Sequence, residues 1–168
     1  DNFVDGAIKY LHQIRRVPDL VHGHYADAGY VAANMAAMLA APMAFTGHSH
    51  GRLKQRRLLD KGMKMETIEE RYRISRRIEA EEVTLDSASL VIASTRQEVK
   101  EQYCLYDKYQ PGRMLVIPPG IDVDRFSPPT QSSRKRPPIS KQIARFLREP
   151  AKPMILAVAR PDPRKNLA

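Results

Sequence analysis

Four of the five histidines in this 168-residue chain fall in two short stretches, "VHGHYADAG" from Val21 and "TGHSHG" from Thr46. Each stretch sets two imidazoles one residue apart, next to apolar residues. On an extended strand that spacing puts His22 and His24 on one face, and His48 and His50 likewise. Asp27 adds a carboxylate, so a zinc site of nitrogen and oxygen ligands is one reading. The pattern is similar to the His-x-His-x-Asp-His of metallohydrolases, but Asp27 stands one place late and no further histidine follows it. Nor does "TGHSHG" have an adjacent acid to orient its imidazoles. A second reading makes His22, and His12 in the first amphipathic segment, simple packing or hydrogen-bonding groups. A third makes His48 and Tyr25 hydrogen-bonding groups beside Lys54, Arg76 and Arg77, which would hold a phosphate. Arginine offers a planar fork that matches phosphate oxygens, and lysine a mobile point charge. The rival to this third reading is that Arg76 and Arg77 pair with Glu79, Glu81 and Glu82 along a helix.

The elements that must position these residues follow from hydrophobic periodicity. Val4 to Arg15 is predicted as an amphipathic helix through Val4, Ile8, Leu11 and Ile14. "DLVHG" reads as a strand, Ala28 to Ala41 as a helix of small residues suited to close packing on a sheet, and "MAFTG" as the next strand. Leu53 to Met63 is a short helix or ordered loop, and Glu66 to Leu85 one long helix with Ile74, Ile78 and Leu85 along one side. "SLVIAST" is a buried strand. Thr95 caps the following helix, with Glu98 three residues on completing a capping box. "MLVIPPG" is a further strand. This alternation signals an α/β fold: a Rossmann-like parallel sheet with helices on both faces. Ligands of such sheets bind at the carboxyl ends of the strands, where "HGHYADAG", "TGHSHG" and "STRQE" all fall.

Composition narrows the partners. The charge is +9, from 28 Lys and Arg against 19 Asp and Glu, which favours nucleic acid, a membrane surface or a phosphorylated small molecule. The alanine-rich stretch from Val31 to Ala44 contains Asn34 and Pro42 and is too polar and short to span a bilayer. Cys104 is the single cysteine, so no internal disulfide forms and a cytoplasmic location is the default; its expected place is buried on a helix. "SPPTQSSRKRPPIS" lacks apolar periodicity and reads as a linker. A new unit then opens with a strand over Met154 to Ala159 and a turn bearing Arg160, Asp162, Arg164 and Lys165. The expected organisation is a first domain over residues 1–126, a linker over 127–152 and the start of a second domain over 153–168. The chain opens on Asp1 and ends just after this new unit begins, and is expected to be a fragment of something longer.

In order, "PDLVHGHYADAG", "TGHSHGRLK", "RRIEAEE", "VIASTRQEV", "VIPPGIDVDRF" and "ILAVARPDPRKN" resemble the sucrose-phosphate synthase branch of the retaining glycosyltransferases, family 4, with the two-domain GT-B fold. The resemblance runs from Pro18 to Asn166 and is weakest between Ser127 and Lys152. "PPGID" followed by Phe is shared widely in family 4, whereas "GHYADAG", "RRIEAEE" and "STRQE" are narrower. "HSHGRLK" favours the phosphate-using branch over sucrose synthases. The resemblance implies transfer of glucose from UDP-glucose to fructose 6-phosphate with retention, giving sucrose 6-phosphate. It implies that Tyr25, Lys54 and Arg77 bind the acceptor, and that His48 is the catalytic-site histidine beside the donor sugar. Arg160 and Lys165 would neutralise the donor diphosphate, with no metal and no cofactor needed for the chemistry. His50 stands where many relatives carry leucine, which puts donor or acceptor preference in question. The glycine-rich loop that opens the first domain and the acidic donor motif of the second are not in this chain, so the chain alone is expected to be inactive. A mannosylfructose-phosphate synthase or a sucrose synthase is the nearest alternative. A non-catalytic regulatory relative is another. A nucleic-acid-binding module, suggested by the charge and by Arg134-Lys135-Arg136, has few aromatics for base stacking: 7% of residues. On the favoured reading no nucleic acid or membrane takes part. Lys54→Ala or Arg77→Ala is then expected to damage use of the phosphorylated acceptor and to leave stability nearly unchanged.

Overall fold

The computed structural model describes residues 2–127, 138–150, 152–153 and 157–160. Arg134-Lys135-Arg136, Lys165 and residues 154–156 of the expected final strand lie outside them. Residues 157–160 are exposed and in no regular element. The chain forms two compact units, Asp1–Gly120 and Ile121–Ala168.

The first unit carries α1 (Asn2–Gln13), β1 (Val21–His24), α2 (Tyr25–Leu39), β2 (Met43–Thr46), α3 (Gly51–Asp60), α4 (Met65–Tyr72), α5 (Ile74–Ser87), β3 (Leu90–Ala93), α6 (Arg96–Glu101) and β4 (Met114–Val116). Short 3-10 turns at Tyr103–Leu105 and Pro111–Arg113 lead from α6 to β4. The four strands form one parallel sheet in the order β1-β2-β3-β4. This is the α/β architecture expected from the sequence. In the second unit α7 (Pro138–Ala144) forms within the stretch read as a linker.

Strand alternation and register put Val21, Gly23, Met43, Phe45, Val91 and Ala93 on one sheet face. That face packs on α2 and α5, with Ala32, Ala33, Ala36, Leu85, Tyr103 and Tyr106 completing the core. Small residues let α2 sit close. A Cβ on Gly23 would lie 2.8 Å from Gly29 Cα, and one on Gly29 would lie 2.8 Å from both the Phe45 ring and the Thr84 methyl. On the opposite face His22, His24, Leu90 and Leu115 are exposed.

Two expectations change. The long helix over Glu66 to Leu85 is broken at Arg73, which takes the left-handed conformation with φ 45° and ends α4 as it begins α5. Six residues of straight helix would turn Ile68 and Ile74 about 120° apart, whereas the break lets both be 0% exposed. Glu69 supports the new helix start: its carboxylate accepts from the Ser75 amide at 3.0 Å and hydroxyl at 2.7 Å, which hold it below the usual carboxylate range. Cys104, expected buried on a helix, is exposed. It lies on the 3-10 turn whose inward position is taken by Tyr103.

Candidate active site

β1 and β2 end in register at His24 and Thr46, and alternation puts both with His22 on the face away from the core. There the rings make a row. His22 Nε2 and Thr46 Oγ1 are hydrogen-bonded at 2.9 Å, and His24 Nδ1 and His48 Nε2 at 2.8 Å. The His22 and His24 ring centroids are 4.2 Å apart, and those of His24 and His48 are 5.1 Å apart and stacked at 17°. Tyr25 closes the row 4.7 Å from His48. Partial burial, then the neighbouring His24 and His48, hold the His22 pKa below its ordinary value.

Tyr25 and His48 both have positive φ, 61° and 59°. A side chain held in that region costs about 1–3 kcal/mol, and each of these residues stands where a strand turns into a loop or helix. The turn at His48 also separates the second histidine pair. Because β2 stops at Thr46, His48 and His50 do not share a strand face: His48 is exposed and His50 is 5% exposed. His50 Nε2 pairs with Glu98 Oε1 at 3.1 Å and its ring meets Tyr103 edge-on at 4.4 Å. Burial keeps its pKa below the ordinary value against the opposing pull of Glu98. His50 therefore ties the loop after β2 to α6. Among the described residues no group of three or more His, Cys, Asp or Glu is placed to hold a metal ion.

The cap of α6 differs in one bond from the expected box. Thr95 Oγ1 accepts from Glu98 N at 3.0 Å, but Glu98 Oε2 reaches past Thr95 to accept from Ser94 N at 2.7 Å.

The cationic residues divide by what they touch. Lys54 on α3 lies with Nζ 3.9 Å from the centre of the Tyr72 ring. Burial and then the Arg77 charge lower its pKa. Arg77 on α5 donates from Nε to Glu81 at 3.0 Å, and from Nη2 to the Ser49 carbonyl at 3.0 Å and hydroxyl at 2.9 Å. Arg77 is thus fixed to the loop that carries His48. The rival ion-pair reading is right about one bond, Arg77 with Glu81. Glu82 instead accepts from Arg52 Nη2 at 2.6 Å, and Arg76 is exposed and in no ion pair among the described residues.

Sequence reasoning named Glu81 only as a helix ion-pair partner and missed its other contacts. Glu81 is 3% exposed, and its two oxygens accept from Gly51 N at 3.1 and 2.9 Å, from Tyr106 Oη at 2.6 Å and from Arg77 Nε. It supplies the acceptor that the start of α3 lacks, since His50 makes no side-chain cap bond there. The available signal was a helix start without Ser, Thr, Asp or Asn.

The structure therefore joins Tyr25 to His48 and fixes Arg77 to the adjoining Ser49, while Lys54 lies over the Tyr72 ring. Arg160 is exposed and belongs to the other unit, and Lys165 lies outside the described residues. No helix among the described residues is long and apolar enough to cross a membrane.

Residues 1–131 match the family described as the first GT-B domain of sucrose synthase. The chain is 43% identical to "Probable sucrose-phosphate synthase 2" of Arabidopsis thaliana, over 98% of this chain and 20% of that protein. It is also 43% identical to "Probable sucrose-phosphate synthase" of Solanum tuberosum and 40% identical to "Sucrose-phosphate synthase" of Zea mays, with the same shares covered. The chain thus spans about a fifth of the length of the curated relatives it matches.

Proposed function

The chain belongs to the GT-B glycosyltransferase family of the sucrose synthase first domain, and from that premise we propose that the protein bearing it transfers glucose from UDP-glucose to fructose 6-phosphate, retaining configuration and forming sucrose 6-phosphate. What supports a phosphorylated acceptor is Lys54: burial and the Arg77 charge lower its pKa, and among the described residues no carboxylate pairs with it. A dianionic phosphate there would relieve that repulsion and accept charge-assisted hydrogen bonds.

On this reading Tyr25, Lys54 and Arg77 hold the acceptor, and His48 lies beside the donor sugar. Departure of the nucleotide places negative charge on the diphosphate. Cations fixed there favour the transition state over the ground state, a role proposed for Arg160 and Lys165. Residues 1–126 would then belong to the acceptor domain, 127–152 to the connection, and 153–168 to the start of the nucleotide-sugar domain. The partners are a nucleotide sugar and a sugar phosphate, without nucleic acid or membrane, in the cytoplasm, and no separate cofactor is needed for the proposed chemistry.

The test is UDP release by the full-length protein across a panel of nucleotide sugars and of plain and phosphorylated hexoses. Release that needs UDP-glucose and fructose 6-phosphate together is the expected outcome. Absence of acceptor-dependent release with every hexose phosphate in the panel refutes the proposal, and dependence on GDP-mannose or plain fructose moves it to a related transferase.

A further inference from the structure

We propose that His24 is a positioning residue for His48: its Nδ1 holds His48 Nε2, so that His48 Nδ1 is the nitrogen turned to the ligand. The inference rests on the reading of His48 as the histidine beside the donor sugar. His48 needs external support, being exposed on a left-handed turn with φ 59° beyond the end of β2. Its described side-chain contacts are the Tyr25 ring at 4.7 Å and the hydrogen bond to His24 at 2.8 Å, across which the two rings are 17° from parallel. The bond is the directional contact of the two.

His24 is itself firmly placed. It is the last residue of β1 and pairs in register with Thr46. Its ring also lies 4.2 Å from that of His22, tilted by 35°, and His22 Nε2 is hydrogen-bonded to the Thr46 hydroxyl at 2.9 Å. The sheet thus sets Thr46 and His22, these set His24, and His24 sets His48.

The chemistry of the bond gives His24 its consequence. Two neutral imidazoles meeting through one nitrogen each share a single proton. If His24 donates, His48 carries its proton on Nδ1 and donates to a sugar oxygen; if His48 donates, its Nδ1 is bare and accepts from a sugar hydroxyl. In either case Nε2 is occupied, and the ring cannot flip without breaking the bond. Removing His24 frees the ring to turn and to change tautomer. Misplacing a group beside a reacting centre by about 1 Å costs up to roughly a hundredfold in rate.

Asparagine places a polar atom close to the position of histidine Nδ1, so His24→Asn keeps the bond while His24→Leu removes it at similar size. In the full-length protein His24→Leu is expected to lower kcat roughly ten- to a hundredfold, with the acceptor KM and the thermal midpoint close to those of the parent. His24→Asn is expected to recover most of the loss. A second readout needs no turnover: the ring 15N shifts of His48, in selectively labelled full-length protein, should report one tautomer in the parent and in His24→Asn, and a mixture in His24→Leu. Unchanged kcat in His24→Leu, no recovery in His24→Asn, a loss of kcat that only follows a fall in midpoint, or identical His48 shifts in all three proteins would each overturn the proposal. Failure of the parent to release UDP with any donor would count against the functional reading instead, and the 15N shifts would still decide the role of His24.

Discussion

Arg77 and Lys54 were expected to behave alike on substitution, and the structure separates them. Arg77 holds the carboxylate of Glu81 and both oxygens of Ser49, whereas Lys54 touches a tyrosine ring. Arg77→Ala should therefore lower stability by about 1–3 kcal/mol, as for loss of charge-assisted hydrogen bonds to a buried partner. Lys54→Ala should leave stability unchanged or slightly raised, because its lowered pKa marks a charge that folding disfavours. Urea unfolding of the two variants checks this, and equal losses would contradict it. A second residue-scale expectation concerns His50, whose pKa is depressed by burial. Below the unfolded value of 6.5 the unfolded chain binds the proton that the folded chain refuses. The contribution is therefore complete above pH 6.5 and is lost as pH falls towards the folded value. His50→Gln, which keeps a donor near the Nε2 position, should show a shallower loss of stability between pH 7 and 5 than the parent, measured by unfolding at several pH values. Tyr25 and His48 were legible because the ends of the strands were. Their positive φ was not, since tyrosine does not signal a left-handed turn and histidine is only enriched there.

The start of α3 shows what an element can conceal. "HGRLK" carries no capping side chain, and the missing acceptor arrives thirty positions later in sequence, from Glu81 on α5. Local pattern found the i to i+4 pair of Arg77 and Glu81 but could not see the amide of Gly51 that the same carboxylate holds. Glycine is required there by space: a Cβ on Gly51 would lie 2.6 Å from Glu81 Oε2. Gly51→Ala should therefore destabilise by about 1–3 kcal/mol, the usual cost of overpacking, although alanine is the better helix former. Denaturant unfolding tests it, and a stabilised variant would contradict the capping role. Strands were the most legible elements, because apolar β-branched runs bounded by Gly and Pro leave few alternatives. The break at Arg73 was not, because the interval from Ile68 to Ile74 shows its conflict with a straight helix only once both are known to be buried.

At the scale of the whole molecule the order of strands and helices was readable from alternation alone, and the convergence of Tyr25, His48, Arg77 and Lys54 follows from their places at or after strand ends in a parallel sheet. The excess of 28 basic over 19 acidic residues is consistent with the proposed phosphorylated substrates. Yet charge alone did not distinguish these from nucleic acid, and the choice came from the ordered family motifs and the few aromatic residues, 7%. The most direct test compares kcat/KM for fructose 6-phosphate with that for fructose, in the full-length parent and in Lys54→Ala, with UDP-glucose as donor. The parent should favour the phosphorylated acceptor strongly. Lys54→Ala should lose roughly ten- to a hundredfold of that preference, the value of a charge-assisted phosphate contact, while its rate with fructose and its affinity for UDP stay as they were. An unchanged preference, or equal losses with both acceptors, would contradict a phosphate site at Lys54 and Arg77.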